Sequence, residues 1–257
     1  MRARLTFLLA ALALVSAGCG DDEGGEAERP GVRGALGGSA ETRTLARARL
    51  PDLRPAGRLS WIADEVRLAP GQALGQVGSR RRGFAFIHVQ RGAARLEKGG
   101  RAELLRQGDA AALPADIERR VTAGDDGATL WEIRLAAPGS GPPPGANGAR
   151  RIFESPPLEG IPARPIASFI EVALPPRGGE TTVHTHPGPE FIYMTRGRID
   201  YQNAIVGTKP LGPGGAEGIP PGTAVQKRNP FSQEAVFLSW FLVDPDKPFA
   251  PRARFQP

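Results

Sequence analysis

From Leu59 onward the chain can be laid over itself with a shift of 105 to 107 residues. GFAFIHVQRG (Gly83 to Gly92) falls on GPEFIYMTRG (Gly188 to Gly197), so that Phe86-Ile87 meets Phe191-Ile192 and Arg91-Gly92 meets Arg196-Gly197. Further on, QGDAAALPAD falls on PGGAEGIPPG, pairing Gly108 with Gly214 and Pro114 with Pro220, and the closing runs TLWEIRL and VFLSWFL align as terminal strands. A repeat of this length means one structural unit used twice. Within each copy, apolar and polar residues alternate through short runs such as FAFIHV and FIYMT. The 34 glycines and 26 prolines interrupt the chain too often for long helices. Each half therefore reads as an all-β unit of short strands and turns, closing as a sandwich or barrel.

What lies outside the repeat divides the rest of the chain. Residues 1–19 have Arg2 and Arg4, an apolar run from Leu5 to Val15, and small residues before Cys19. This layout is that of an export signal, with an apolar run too short for a mature membrane span. It resembles a bacterial lipoprotein signal, which implies that Cys19 is acylated and anchors the chain to a membrane in the cell envelope. Ser16 departs from that pattern, which usually has Leu or Val three places before the cysteine. Residues 20–57 are expected to be a flexible tether, 58–138 the first barrel, 139–164 a Pro/Gly-rich linker, 165–247 the second barrel and 248–257 a tail.

A net charge of +6 raises the question of nucleic acid. The basic residues are scattered rather than gathered on one face with interleaved aromatics, so a solvated basic surface is expected and no nucleic-acid partner.

The chemistry-bearing residues concentrate in the second copy. In VHTHPGPEFIYM, His184 and His186 share one face of an extended segment by period-two alternation. A turn at Pro187 to Pro189 would return Glu190 on the face that also carries Ile192 and Met194. Two imidazoles and one carboxylate on one side of an ion leave open coordination positions, as catalytic metals require.

The spacing around these residues, Gly178-x5-His184-x-His186-x3-Glu190-x6-Gly197, followed by Gly214-x5-Pro220-x-Gly222 and then Asn229, resembles the two motifs of the cupin superfamily. The resemblance covers most of each half and implies a bicupin, two tandem jelly-roll barrels. It also implies a divalent transition metal (Fe, Mn, Ni or Zn) held by His184, His186 and Glu190. A third metal-binding histidine belongs after Gly222 with two residues between them in that motif, where this chain has Val225. The first copy retains none of the ligands: its matching positions are Ser79 or its neighbours, Arg81, Ala85 and Arg119. His88 matches Tyr193 and is expected on the face opposite the ligands.

Val225, Ile192 and Met194 would make an apolar pocket wall, suited to a small organic ligand or substrate. Lys227, two residues after Val225, has two readings, a positive charge at the pocket mouth that would attract a carboxylate or enolate and a solvated lysine, of which the second is expected; Trp61, Trp131 and Trp240 are expected to be core residues. Two functions stay open: a metal-dependent enzyme with dioxygenase-like chemistry on a small organic molecule, and a non-catalytic small-ligand-binding cupin lipoprotein. A homo-oligomer is compatible with either.

Overall fold

The computed structural model describes residues 36–53, 57–74, 83–115, 117–142, 146 and 148–256. The signal and Cys19 lie outside them, as do Ser79 and Arg81. The described residues form sixteen strands and no α-helix: β1 Glu41–Arg49, β2 Ser60–Leu68, β3 Ala73–Leu74, β4 Ala85–Lys98, β5 Arg101–Arg106, β6 Ala110–Leu113, β7 Arg119–Ala136 and β8 Arg150–Glu154, then β9 Ile166–Leu174, β10 Gly179–Glu180, β11 Glu190–Arg196, β12 Ile199–Asn203, β13 Gly207–Leu211, β14 Ala216–Ile219, β15 Val225–Asn229 and β16 Ala235–Val243.

The duplication expected from the sequence is present as two antiparallel barrels. In the C-terminal one, a sheet of order β1-β9-β16-β11-β14 faces a second of order β10-β15-β12-β13. In the N-terminal one, β5-β4-β7-β2-β8 form one continuous sheet, with β3 on β7 and β6 on β4. The difference lies in the corners. β4 turns through bulges between Val89 and Arg91 and between Gly92 and Ala94 while remaining paired to β7. The corresponding C-terminal strands are instead interrupted, β11 from β12 and β15 from β16. Bulges of this kind let one strand serve two sheets.

Alternation assigns the strand faces to three cores. Val172, Ile192, Met194, Tyr201, Val225, Phe237 and Phe241 fill the C-terminal barrel. Val66, Ile87, Val89, Leu96 and Leu130 fill the N-terminal one. Between the barrels, Trp61, Phe86, Trp131 and Phe153 from one side meet Phe169, Phe191 and Trp240 from the other. Phe169 and Trp240 stack there at 5.0 Å and 15°. A strand flanked by core on both sides must be apolar throughout. Hence every residue of β16, AVFLSWFLV, is buried. The three tryptophans thus belong to the core between the barrels.

Two segments read as connecting chain are built into the sheets. The tether assigned to residues 20–57 contains β1, which pairs with β9 of the distant C-terminal barrel from Glu41↔Ala173 to Arg49↔Ile166. Leu36 and Ala40 enter that barrel's core, whereas Ala46 and Leu50 enter the core between the barrels. The linker assigned to residues 139–164 contains β8, which pairs with β2 of the N-terminal barrel. The strand preceding each barrel therefore crosses to the other one. Short alternating runs, TLARAR and RRIF, carry these strands within glycine- and proline-rich surroundings, and burial of their apolar faces outweighs the local turn propensity.

Candidate metal centre

His184 and His186 do not lie in a regular strand. His184 makes isolated antiparallel bridges to Val225 on one side and Arg252 on the other. Its backbone N–H donates to the Val225 carbonyl at 3.1 Å, and that of Val225 donates back at 2.9 Å. Residues 248–256, read from sequence as a tail, complete this small assembly. Ala253 donates to the Val183 carbonyl at 2.9 Å and Thr185 to the Pro251 carbonyl at 3.1 Å. The chain then reverses through Gly188, where a Cβ would stand 1.8 Å from the Leu242 carbonyl oxygen, so only glycine permits the approach. Glu190 opens β11, between β14 and β16.

The three side chains converge. One ligand atom from each of His184, His186 and Glu190 lies within 4.8 Å of the others, and all three residues are buried. Among the described residues no other group of three such side chains is assembled. His186 Nε2 stands 3.4 Å from Glu190 Oε2.

Backbone carbonyls fix which nitrogen of each ring faces the cluster. His184 Nδ1 is 2.7 Å from the Thr182 carbonyl oxygen and His186 Nδ1 is 2.8 Å from that of Phe249. A carbonyl only accepts, so each Nδ1 carries the proton and each Nε2 presents a lone pair. Both Nε2 atoms are buried without a hydrogen-bond partner. Burial, with Lys227 and His186 adding to it, pulls the His184 pKa down to about 3. Burial likewise takes His186 down to about 4, with Glu190 opposing the shift and Lys227 reinforcing it. Both rings are therefore neutral, the state in which imidazole ligates metal. The Phe241 and Phe249 rings flank His186 at 4.7 and 5.0 Å.

Lys227 departs from its expected place. It is fully buried rather than solvated, and its Nζ donates to both oxygens of Glu190, at 3.0 and 3.1 Å. The Ser239 hydroxyl donates to the same carboxylate at 3.0 Å. Burial alone would raise the Glu190 pKa, but Lys227, followed by His186 and His184, holds it below the usual carboxylate range. The Val-Gln-Lys-Arg-Asn order of β15 contains the signal: Val225, Lys227 and Asn229 are buried, while Gln226 is less buried and Arg228 exposed. Strict alternation from Val225 would have placed Lys227 inside.

Val225, Ile192 and Met194 all sit in the barrel core beside the cluster. Val225 lies directly across the bridge from His184, with no atom able to ligate. On the outer side a cleft of about 520 Å³ reaches His186, bounded by Pro187, Pro221, Lys247 and Pro251 among others.

The N-terminal barrel holds a different device at the equivalent place. Arg119, in the position of Val225, is buried and lies 3.6 Å from the buried Glu132. It also donates to the Leu113 carbonyl at 3.0 Å. Ala85, in the position of Glu190, is buried and cannot ligate. His88 packs between Trp131 and Phe169 toward the neighbouring barrel, away from its own barrel interior, as expected.

Residues 170–241 match the family described as the cupin domain. No curated protein sequence matches the chain. Among solved structures, the fold is similar to a variant of Bacillus subtilis oxalate decarboxylase, with TM-score 0.54 and 15% identity over 84% of this chain and 76% of the other. Similarity to Lactobacillus farciminis oxalate decarboxylase in its formate complex gives TM-score 0.54 and 15% identity over 84% of both chains. A third structure, of B. subtilis oxalate decarboxylase studied for its Mn(II) centres, gives TM-score 0.53 and 15% identity over 81% of this chain and 74% of the other. The two-barrel architecture thus has the tandem cupin fold, and the residues that match the cupin domain, 170–241, include the His184, His186 and Glu190 cluster.

Proposed function

We propose that this chain is a metal-binding cupin protein of the cell envelope, anchored through an acylated Cys19, whose C-terminal barrel holds one divalent transition metal on His184, His186 and Glu190. The observation that carries the reading is the pair of orphaned, buried Nε2 lone pairs facing one carboxylate. An unpartnered buried nitrogen is costly, and a cation at the cluster would satisfy both at once. The donor set of two imidazoles and one carboxylate accepts Fe, Mn, Ni or Zn. The Mn(II) centres of the similar oxalate decarboxylase point in the same direction.

When bound, the metal would supply Lewis acidity or, if it is iron, dioxygen chemistry. The chain's own residues do the rest. Thr182 and Phe249 hold the imidazole tautomers, Ser239 and Lys227 orient the carboxylate, and the Phe241 and Phe249 rings pack against His186. A small organic ligand would approach through the cleft at His186. Val225 in place of a further ligand, and the loss of the ligands from the first barrel, where Ala85 and Arg119 stand instead, favour binding of a ligand over turnover of one. Dioxygenase-like chemistry is the second reading, supported by the three-donor set with its free coordination positions.

Elemental analysis of the chelator-free protein beside its His184→Ala variant tests the proposal. About one equivalent of a transition metal in the parent and none in the variant is the expected result. No metal in either after reconstitution with Mn, Fe, Ni or Zn would defeat it.

A further inference from the structure

We infer that Lys227 is a resident counter-cation, which occupies Glu190 in the metal-free protein and sets how tightly the His184, His186 and Glu190 cluster takes a divalent ion. The inference rests on the metal-binding reading and concerns what that reading leaves over: a fully buried ammonium that contributes no lone pair to the cluster while its positive charge is held by the carboxylate.

The charges account for the arrangement. With both imidazoles neutral, the buried site contains one carboxylate and one ammonium, and Nζ lies 3.0 and 3.1 Å from the two oxygens. The pair is electroneutral without a metal, so the barrel folds around a satisfied Glu190. A divalent ion placed against His184 Nε2, His186 Nε2 and Glu190 Oε2 must share that oxygen with Lys227. Two cations then lean on one carboxylate in surroundings that screen them poorly, and their repulsion subtracts from metal affinity. A metal-only cluster would gain from an imidazole at Val225 and from an uncharged neighbour at residue 227; this chain has neither.

The other barrel supports the same reading independently. There, in a position that lacks metal ligands, the cation Arg119 lies 3.6 Å from the buried carboxylate Glu132. Both cations come from the corresponding strand segment, Arg119 at the start of the second-motif run in β7 and Lys227 in β15. The N-terminal barrel thus shows a cation from this strand serving as a carboxylate's partner where, among the described residues, no cluster of metal ligands is assembled. The C-terminal barrel has the same solution with the histidines still in place.

Lys227→Met keeps the length of the side chain and removes the charge; Lys227→Arg keeps the charge. The full chain and both variants are titrated with CoCl2, reading the apparent Kd by calorimetry, the Co(II) visible spectrum, and the change in thermal midpoint on adding metal. Lys227→Met is expected to bind Co(II) about 10- to 100-fold more tightly than the parent. It is also expected to gain more thermal stability from metal, since without metal its Glu190 is an uncompensated buried charge. Lys227→Arg is expected to bind no more tightly than the parent. If Lys227→Met folds only when Co(II) is present, the inference is supported in its strongest form. If it is unfolded under both conditions, Lys227→Gln, which can still hydrogen-bond the carboxylate, takes its place and must show the same tightening. Equal or weaker Co(II) binding by the folded uncharged variant overturns the role of Lys227 and leaves the metal site standing. Absence of Co(II) from the parent and every variant overturns the metal site itself.

Discussion

Leu36, five residues before β1, and Leu50, directly after it, enter different cores, the first inside the C-terminal barrel and the second between the barrels. They are 1% and 6% exposed. Replacing either with alanine removes three buried carbons and leaves a space that a strand fixed by its β9 ladder closes only in part. Leu→Ala changes at such positions cost about 2–5 kcal/mol. Because the two leucines occupy separate clusters, their effects should add, giving about 4–10 kcal/mol for the double variant. That is comparable with the whole stability of an ordinary domain, about 5–15 kcal/mol. The assay is urea unfolding followed by far-ultraviolet circular dichroism and by tryptophan fluorescence. The second probe reports on the junction, since Trp61, Trp131 and Trp240 all lie between the barrels. Both single variants should lower the global midpoint, with the two probes still coincident. If each stays within about 0.5 kcal/mol of the parent, β1 is an ornament on the sheet and not part of either core.

Five further variants have expected outcomes. His184→Ala abolishes metal retention, and Val225→His, placed across the bridge from His184, tightens it; a Val225→His protein that binds no better than the parent would contradict the bridge geometry. Gly188→Ala forces a Cβ toward the Leu242 carbonyl and should cost about 1–3 kcal/mol or more, measured by chemical denaturation. Burial, aided by the Arg43 guanidinium, lowers His88 to about 4, with Asp109 and the Gly108 backbone opposing. The unfolded chain protonates this ring near pH 6.5 and the folded chain only near 4, so the contribution is complete above pH 6.5 and is lost as pH falls to 4. Relative to His88→Gln, the parent should therefore lose about 2–3 kcal/mol more stability between pH 7 and 4.5, and an equal loss would refute the assignment. Phe249→Ala should loosen metal binding by exposing His186 to water while leaving His184 untouched, measured by metal affinity and by the exchange rates of the two ring protons.

The two-barrel architecture was legible because a duplicated pattern of turns and apolar runs constrains the fold more strongly than any single strand does. The histidine pair and Glu190 were legible because their spacing survives in one stretch of chain. Lys227 was not, although the alternation of β15 held the answer: three successive polar residues, Gln226, Lys227 and Arg228, look like a solvated run unless the apolar Val225 sets the register. β1 and β8 were hidden for a different reason. Each pairs with the other barrel, and a strand whose partner lies 85 residues away, as Arg150 does from Glu65, or farther, leaves no local trace of the pairing. Residues 248–256 alternate only in the short run Arg252 to Gln256, too brief and too close to three prolines and an alanine to read as an ordered segment. Their order comes from backbone bonds to residues 183–185, together with the packing of Phe249 on His186 and Phe241.

Those backbone bonds bear on how the site could be moved. The match to the cupin domain ends at residue 241, yet the oxygen that orients His186 belongs to Phe249, and the outermost strand of the same sheet is β1, residues 41–49. A graft of residues 170–241 into another scaffold would transplant every ligand and leave behind the carbonyl that points one of them. The portable unit is discontinuous, 36–50 together with 166–253. The same separation lets mutation in the 248–253 segment retune His186 without altering any residue of the ligand motif.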